Sequence, residues 1–179
     1  MPLSTDRLRL RALEPDDLED LFGLLSDDPA VGRVSWRQES RESTAQWLEQ
    51  RIFTESSLGL SMWGVETLAR GELVGLCGFL PRPKDPDVEL GYVIRACDWG
   101  RGYATEAVRA AVGVVTGEGH RIYATIRPWN IASIVVAERA GLEPDGEVID
   151  SRGPLIVYRS PPAGTGAAMP HRRLPPHSG

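Results

Sequence analysis

Cysteine and histidine are scarce in this sequence. It has two cysteines and three histidines in 179 residues, and Cys77 and Cys97 lie too far apart to form a CxxC pair. This scarcity excludes a disulfide framework and the common types of zinc site. We therefore expect no metal.

Long apolar runs and an excess of positive charge are missing as well. No segment approaches the roughly 20 apolar residues that span a bilayer, and the first residues lack the apolar stretch of a signal peptide. The formal net charge is -5 at pH 7, whereas sequence-independent binding to nucleic acid relies on positive charge. We expect a cytoplasmic protein with neither a membrane nor a nucleic-acid partner.

The length and composition are those of one ordinary domain. With 41% apolar residues in 179, the chain can bury a core that is stable without disulfides or a structural metal. We place a single domain at residues 1–160. The segment 161–179 is rich in proline, glycine and alanine and has almost nothing large to bury, so we predict a disordered tail there.

Strands and helices alternate along the domain. Arg7, Arg9 and Arg11 alternate with leucines, which predicts a half-buried strand. An amphipathic helix follows in "EPDDLEDLFGLLSDD". The next elements are a helix in the forties, a β-meander over "SMWGVETLARGELVGLCGFL" and "DVELGYVI" with a loop at Pro81 to Pro86, a helix from Ala104, a short strand "RIYATI", a helix in "NIASIVVAERAG", and a hairpin of "GEVID" and "PLIVYR".

The stretch "DWGRGYATEA", residues 98–107, joins a strand to a helix through a glycine-rich turn. Unpaired backbone N–H groups and the positive end of the helix dipole make such a turn suitable for a phosphate. Gly100 and Gly102 permit positive φ and close approach, and Ala104 keeps the next turn small. The Walker and GxGxxG patterns are both absent. From these residues alone, a purely structural turn stays an equal alternative.

Two longer segments resemble a known family. "ELGYVIRACDWGRGYATEA" and the later "PWNIASIVVAERAGLE" are similar to the GCN5-related N-acetyltransferases (GNAT), and within them to the branch that acetylates N-terminal amines of ribosomal proteins (RimJ/RimL type). The family's pyrophosphate loop reads [Q/R]xxGx[G/A], and Trp99, Gly102 and Ala104 occupy those places. Trp99 departs from the consensus, but tryptophan is common there in this branch.

The resemblance covers residues 5 to about 160 and implies the GNAT fold. This is an α/β (α+β) fold with a mixed, mostly antiparallel central sheet of six to seven strands. Helices lie on both of its faces, and the sheet is splayed between its fourth and fifth strands. The family also implies a possible homodimer.

The resemblance further implies acetyl-CoA as cosubstrate. Its pyrophosphate would lie in the loop, and its pantetheine arm would pair with main chain at the end of the fourth strand. There the amide of Val93 or Ile94 would stabilise the oxyanion. The residues assigned to the cofactor are Tyr92, Val93, Ile94, Trp99, Gly100, Arg101, Gly102, Tyr103, Ala104, Thr105, Asn130 and Ser133.

Asn130 and Ser133 have two interpretations. Asparagine is a favoured helix N-cap and would accept from the N–H of residue 133, which explains Asn130 without any ligand. The resemblance adds that Asn130 reaches the pantetheine amide. It also implies that Ser133 hydrogen-bonds the CoA sulfur and protonates the leaving thiolate.

A general base is needed because an alkyl ammonium must lose a proton before it attacks a thioester. Glu89, in "VELGY", is the first candidate, and a carboxylate that only shapes the pocket is its equal alternative. A β-bulge there would change which side chains face the cleft. Glu66 and Glu138 are weaker candidates. Glu106 is interpreted as a residue that complements the helix dipole.

The predicted reaction is direct transfer in a ternary complex from acetyl-CoA to a primary amine, either a protein N-terminus or a small molecule. No cysteine or serine has a recognisable activating partner for a covalent intermediate. The alternative is an acyl-CoA-binding or sensing module without turnover. The acceptor cannot be read from the sequence, since Trp36, Trp47 and Trp63 either line its pocket or belong to the core.

Overall fold

The computed structural model describes residues 3–26, 28, 37–81 and 87–161. The strands are β1 (Leu3–Ser4), β2 (Leu8–Arg11), β3 (Met62–Thr67), β4 (Leu73–Pro81), β5 (Asp87–Ile94), β6 (Arg121–Ile126), β7 (Glu143–Asp150) and β8 (Gly153–Arg159). The helices are α1 (Leu18–Ser26), α2 (Arg41–Leu58), α3 (Tyr103–Gly117) and α4 (Ile131–Arg139). Short 3-10 turns at Pro15–Asp17 and Ala96–Asp98 lie before α1 and α3.

The strands form a mixed sheet in the order β1-β2-β3-β4-β5-β6-β8-β7. In the described part of the chain, β5 and β6 are parallel and all other neighbouring strands are antiparallel. The predicted mostly antiparallel α/β sheet is confirmed. The described residues form eight strands, whereas the family resemblance implied six to seven. The strand β1 is two residues long and too short to show an alternating pattern in the sequence.

Helices cover both faces of the sheet. One apolar cluster joins the sheet to α3 and α4 through residues such as Val108, Ala111 and Val136. A second cluster joins the other face to α1 and α2 through Leu21 and Leu48. Each helix buries one apolar stripe against one face, so the sheet is covered on both sides.

The sheet opens between β5 and β6. These strands pair only at their first residues, where Asp87, Val88 and Glu89 lie opposite Arg121, Ile122 and Tyr123. Beyond Glu89 the two strands continue without pairing to each other. The sequence prediction did not include β1, so its fourth and fifth strands are β5 and β6, and the predicted splay between them is present. The splay leaves the main chain at the end of β5 unpaired on the side that faces β6.

Several element ends differ in detail from the sequence prediction. Helix α2 begins at Arg41, within the predicted range, where Ser40 accepts a hydrogen bond from the Ser43 N–H and caps the helix, but it continues to Leu58, beyond the predicted forties. Strand β4 extends through Pro81. Trp36, the predicted loop at residues 82–86 and the predicted tail from residue 162 lie outside the described residues.

Two tryptophans have different surroundings. Trp63 is buried in the core, where it packs edge-on to Phe79, whereas Trp47 is half-buried against the α1 and α2 cluster. Trp63 is thus a core residue. Within the described ranges, no helix has both the length and the hydropathy needed to cross a lipid bilayer.

Candidate active site

A cleft of about 580 Å³ lies beside the end of β5, beyond the residues at which β5 pairs with β6. It is lined by Tyr92, Val93, Ile94, Asp98, Trp99, Gly100, Gly102, Tyr103, Ala104, Thr105, Asn130, Ile131, Ala132, Ser133, Val135, Val136 and Arg139. Every residue that the resemblance assigned to the cofactor lines this cleft except Arg101. The end of β5, the glycine loop and α4 thus form the walls of one concave site.

The glycine loop presents free backbone donors to the cleft. Gly100 and Gly102 have φ of 75° and 80°, a region that side chains disfavour, as predicted. Gly102 is the N-cap of α3, and the Glu106 N–H bonds to its carbonyl as the first bond of the helix. The N–H groups of Tyr103, Ala104 and Thr105 therefore have no acceptor within the helix. All three residues line the cleft.

The base of the loop is held by two carboxylates, one buried and one half-buried. Asp98, 3% exposed, accepts from the Arg95 Nε at 3.0 Å and pairs with Arg101 at 3.5 Å. Asp28 accepts from the Ala96 N–H at 3.1 Å. These contacts anchor the loop at its base. Arg101 points toward Asp98 and is not among the lining residues, although its side chain is half exposed.

Trp99 binds the end of β5. Its indole N–H donates to the Ile94 carbonyl at 2.7 Å, while its ring is 45% exposed and lines the cleft. In this chain the residue that departs from the family consensus therefore fixes the strand end to the loop. The indole N–H is an uncharged donor, so the Trp99 side chain forms this hydrogen bond without adding a charge to the loop.

The same contact shows which way the main chain of β5 points. The Arg95 N–H donates to the Val74 carbonyl of β4, and the Ile94 carbonyl points the other way, to Trp99. In a strand the N–H and C=O of one residue point to the same side, and neighbouring residues alternate. The Ile94 N–H therefore faces the splay, and the Val93 N–H faces β4.

Asn130 is the N-cap of α4, as predicted. It is 7% exposed, and its side-chain oxygen accepts from the Ser133 N–H at 3.4 Å. Both residues line the cleft. Among the described parts of the chain, the Ser133 hydroxyl has no hydrogen-bond partner.

Tyr92 bridges the splay. Its hydroxyl donates to the Ser133 backbone carbonyl at 3.1 Å. Burial raises the pKa of Tyr92, so the phenol stays protonated and remains a donor. This bond connects β5 directly to the start of α4.

Glu89 lies on the other face of β5. The β4–β5 ladder runs from Gly75↔Ile94 to Pro81↔Val88 without a shift, so it contains no bulge that would change which side chains face the cleft. Val88 and Leu90 belong to the α3 and α4 cluster, and the side chain between them therefore points to the α1 and α2 face. Glu89 is half-buried, accepts from the Thr125 hydroxyl at 3.3 Å and is not among the residues that line the cleft.

Glu66 is engaged elsewhere. It is buried and pairs with Arg9 and Arg11 of β2. Burial by itself would raise its pKa, but the hydrogen bonds from the two arginines outweigh that effect and lower it. A carboxylate with a lowered pKa and two cationic partners is a poor proton acceptor near neutral pH.

Glu106 and Glu138 are also engaged outside the cleft lining. Glu106 pairs with Arg7 at 2.6 Å and accepts from the Thr5 hydroxyl at 2.6 Å. Glu138, exposed on α4, accepts from the Tyr158 hydroxyl at 3.4 Å. The interpretation of Glu106 as a helix-dipole residue omits this contact with the chain's N-terminal segment.

Sequence reasoning missed one wall of the cleft. Apart from Asp98, the additional lining residues are all on α4 and are Ile131, Ala132, Val135, Val136 and Arg139. Their spacing of one, four, five and eight positions is that of one helical face. The periodicity was available in the sequence, but it does not distinguish a face toward a cleft from a face toward the core.

Comparison with known proteins identifies the family. The family profile described as "Acetyltransferase (GNAT) domain" matches residues 7–143. The chain is 36% identical over 160 residues to the uncharacterized protein YkkB of Bacillus subtilis (strain 168). The aligned region covers 87% of this chain and 93% of YkkB. This chain belongs to the GNAT acetyltransferase family.

Two further GNAT proteins are similar over most of their length. The uncharacterized N-acetyltransferase p20 of Bacillus licheniformis is 29% identical over 164 residues, covering 87% of this chain and 92% of p20. The ribosomal L7/L12 α-N-protein acetyltransferase RimL, solved in complex with coenzyme A, has a TM-score of 0.78 at 19% identity, covering 89% of this chain and 97% of RimL. The GNAT resemblance seen in the sequence is confirmed, and the fold is shared with RimL.

Proposed function

We propose that this GNAT domain transfers the acetyl group of acetyl-CoA to a primary amine by direct attack in a ternary complex. The observation that carries the proposal is the cleft itself. It combines the free N–H groups at the start of α3 with the unpaired Ser133 hydroxyl and the unpaired strand end of β5. Donors for an anion and a donor for a leaving thiolate lie along one cavity.

The residues present fit acetyl-CoA. The N–H groups of Tyr103, Ala104 and Thr105 would donate to the pyrophosphate, because unpaired amides and the helix dipole both favour an anion there. Gly100 has open space where a side chain would stand. Asn130 and the main chain of Tyr92 to Ile94 would hold the pantetheine arm, and Arg101 would screen an outer phosphate. RimL, which shares the fold, binds coenzyme A.

The reaction needs one oxyanion donor and two proton movements. The amine nitrogen attacks the thioester carbonyl carbon, and the Ile94 N–H, which faces the splay, stabilises the oxygen as it becomes negative. When the C–S bond breaks, the electron pair leaves with sulfur. The Ser133 hydroxyl gives the thiolate a proton and is reprotonated, through solvent, by the second proton that the amine nitrogen loses as the amide forms. No covalent enzyme intermediate forms, and holding the two substrates together supplies much of the rate.

Glu89 is the proposed general base. It lies on β5 three residues before Tyr92, on the face of the sheet opposite the α3 and α4 cluster. Because β5 and β6 part after Glu89, an amine on the α1 and α2 face reaches the splay close to this carboxylate. Glu89 would take the ammonium proton directly or through one water. If Glu89 only shapes the acceptor pocket, Glu89→Gln will change the KM for the acceptor but not the shape of the pH profile.

The acceptor class is proposed from two sources. RimL acts on a ribosomal protein N-terminus, and an exposed cleft at a sheet opening also admits a small amine. The family resemblance implies that acceptor specificity lies in the first two helices and in the loops around residues 26–60 and 81–87. Within those loops, residues 29–36 and 82–86 lie outside the described residues. An unbiased panel of amines and N-terminal peptides is therefore the appropriate substrate set.

One experiment tests the proposal. CoA binding is measured by calorimetry, and thiol release from acetyl-CoA is measured across the amine and peptide panel. Binding together with amine-dependent thiol release is the expected result. Tight CoA binding without thiol release in the presence of any acceptor would show instead that the protein is an acyl-CoA-binding module without turnover. The absence of CoA binding would overturn the site assignment as a whole.

A further inference from the structure

We infer that Arg7, which immediately precedes β2, is a positioning residue that holds the glycine loop in its anion-binding conformation. The inference rests on the proposed CoA site. Arg7 does not line the cleft, and it is 94 positions away in sequence from the loop residue that it contacts. It therefore acts on the cofactor only through the parts of the loop and of α3 that it contacts.

Arg7 contacts three parts of the loop and of α3. Its Nη1 donates to the Arg101 carbonyl at 2.9 Å, and its Nε donates to the Glu106 carboxylate at 2.7 Å. Its guanidinium also lies 5.0 Å from the centre of the Tyr103 ring. The planar fork of arginine suits this arrangement, because its donors diverge in one plane while its face stacks on an aromatic ring.

The contact with Arg101 sets the direction of the next amide. The peptide bond between Arg101 and Gly102 is trans, so the C=O of Arg101 and the N–H of Gly102 point in opposite directions. Arg7, which holds that carbonyl, is not among the residues that line the cleft, whereas Gly102 is. The Gly102 N–H is thereby turned toward the cleft. A flipped peptide would place the carbonyl oxygen, with its partial negative charge, against a bound anion.

The contact with Glu106 offsets a charge that would oppose an anion. Glu106 lies one turn into α3, the helix whose N-terminus faces the cleft. It accepts from the Thr5 hydroxyl, from the Arg7 N–H at 2.9 Å and from the Arg7 side chain. Burial would raise the pKa of Glu106, but these hydrogen bonds outweigh it and lower the pKa. The carboxylate therefore remains ionised, and Arg7 neutralises it.

The test compares ligands that contain or lack the pyrophosphate. Affinities for CoA, dephospho-CoA and pantetheine are measured by calorimetry or ligand-observed NMR for the wild type, Arg7→Gln and Arg41→Gln. The Arg41–Glu19 pair, with its N···O distance of 2.6 Å, is an exposed ion pair between α2 and α1, remote from the loop, and serves as the matched control.

Arg7→Gln is expected to weaken CoA and dephospho-CoA binding equally, by about tenfold or more, because a fixed donor is lost and an acidic charge is released beside the anion. Pantetheine affinity should stay within about twofold, and Arg41→Gln should match the wild type for all three ligands. Equal weakening for pantetheine, or unchanged CoA affinity, would overturn the inference.

Two further variants keep the test decisive. Adding Glu106→Gln to Arg7→Gln should recover part of the CoA affinity, since the uncompensated charge is removed. If Arg7→Gln does not fold, Arg7→Lys retains the charge but lacks the fork, and the same selective loss for pyrophosphate ligands is expected. If the wild-type protein binds no CoA, the proposed function itself is wrong. If the wild type binds CoA but Arg7→Gln does not weaken that binding selectively, only the inference about Arg7 is wrong.

Discussion

Tyr92 of β5 and Ser133 of α4 are joined across the open part of the sheet, where the Tyr92 hydroxyl donates to the Ser133 carbonyl at 3.1 Å. The bond spans the gap that the missing β5–β6 pairing leaves. It therefore fixes the distance between the strand that would hold the pantetheine arm and the serine that would meet the sulfur.

Replacing Tyr92 by Phe should reduce both stability and turnover. The lost hydrogen bond should lower the free energy of unfolding by about 0.5–1.5 kcal/mol. Turnover should fall because α4 is no longer held at its first turn. Tyr158→Phe removes a comparable hydroxyl, bonded to Glu138 away from the cleft lining, and should affect stability only. Equal kcat in the two variants would contradict this account of the bridge.

A side chain at Gly102 should abolish tight CoA binding. Gly102 has φ of 80°, and an added Cβ would lie 3.4 Å from the Arg7 Nη2. Gly102→Ala should therefore shift the loop and weaken CoA binding by more than about tenfold, as measured by calorimetry. Gly59→Ala is the control, since Gly59 has φ of 68° with open space around it at the end of α2. It should lower the melting temperature similarly and leave CoA affinity unchanged.

Ser133 and Asn130 should separate into kcat and KM effects. Ser133→Ala removes the proposed proton donor to the thiolate, so kcat should fall by about 10²-fold with little change in the KM for acetyl-CoA. Asn130→Ala should raise that KM and also lower stability by about 1 kcal/mol through loss of the N-cap. Steady-state kinetics with thermal unfolding distinguishes these outcomes, and unchanged kcat in Ser133→Ala would remove the thiol role.

Glu89→Gln should change the pH profile of kcat/KM. The variant should lose about 10²-fold at pH 7, and the deficit should shrink at alkaline pH, where the amine deprotonates without help. Glu138→Gln, an exposed carboxylate outside the cleft lining, is the control and should keep the wild-type profile. A uniform loss at every pH would indicate that Glu89 shapes the acceptor pocket.

Acid should destabilise the protein through Glu66 and Asp17. Both carboxylates bind Arg11, and in each case burial raises the pKa but the arginine hydrogen bonds lower it overall. Lowered pKa values mean that the native state binds fewer protons than the unfolded state near the ordinary values of 4.5 and 3.8. Their contribution is therefore complete above those values and lost as pH falls through the lower native ones.

Glu66→Gln should flatten this pH dependence. Denaturant titrations at a series of pH values should show a smaller stability loss on acidification than in the wild type, and a lower stability at pH 7. Glu19→Gln, which removes an exposed pair with Arg41, should change neither quantity measurably. If the Glu66→Gln and wild-type curves remain parallel, Glu66 is not a source of acid lability.

Features set by neighbours in the chain could be predicted from the sequence. Gly100 and Gly102 adopt the positive φ that their spacing before a helix suggested, and Asn130 caps α4 as its residue type favours. Both depend on interactions within a few residues. The short edge strand β1 escaped prediction because two residues carry no period.

Features set by long-range pairing could not be predicted. Whether Glu89 faces the cleft depends on the register of β4 against β5, and the uninterrupted ladder turns it to the α1 and α2 face. Which of the Val93 and Ile94 amides faces the splay also depends on this register. The Arg95 N–H bonds the Val74 carbonyl and the Ile94 carbonyl bonds Trp99, so the Ile94 amide is the one that faces the splay. A shift of one position in the register would reverse both results.

The sequence by itself determined the family, the alternation of elements and the glycine loop before α3, because apolar periodicity, capping and glycine conformation are local properties. Only the tertiary structure decided that Arg7 lies behind the loop and that Tyr92 reaches Ser133. Those contacts join residues 94 and 41 positions apart. They form only when the sheet brings its first and central strands against α3 and α4.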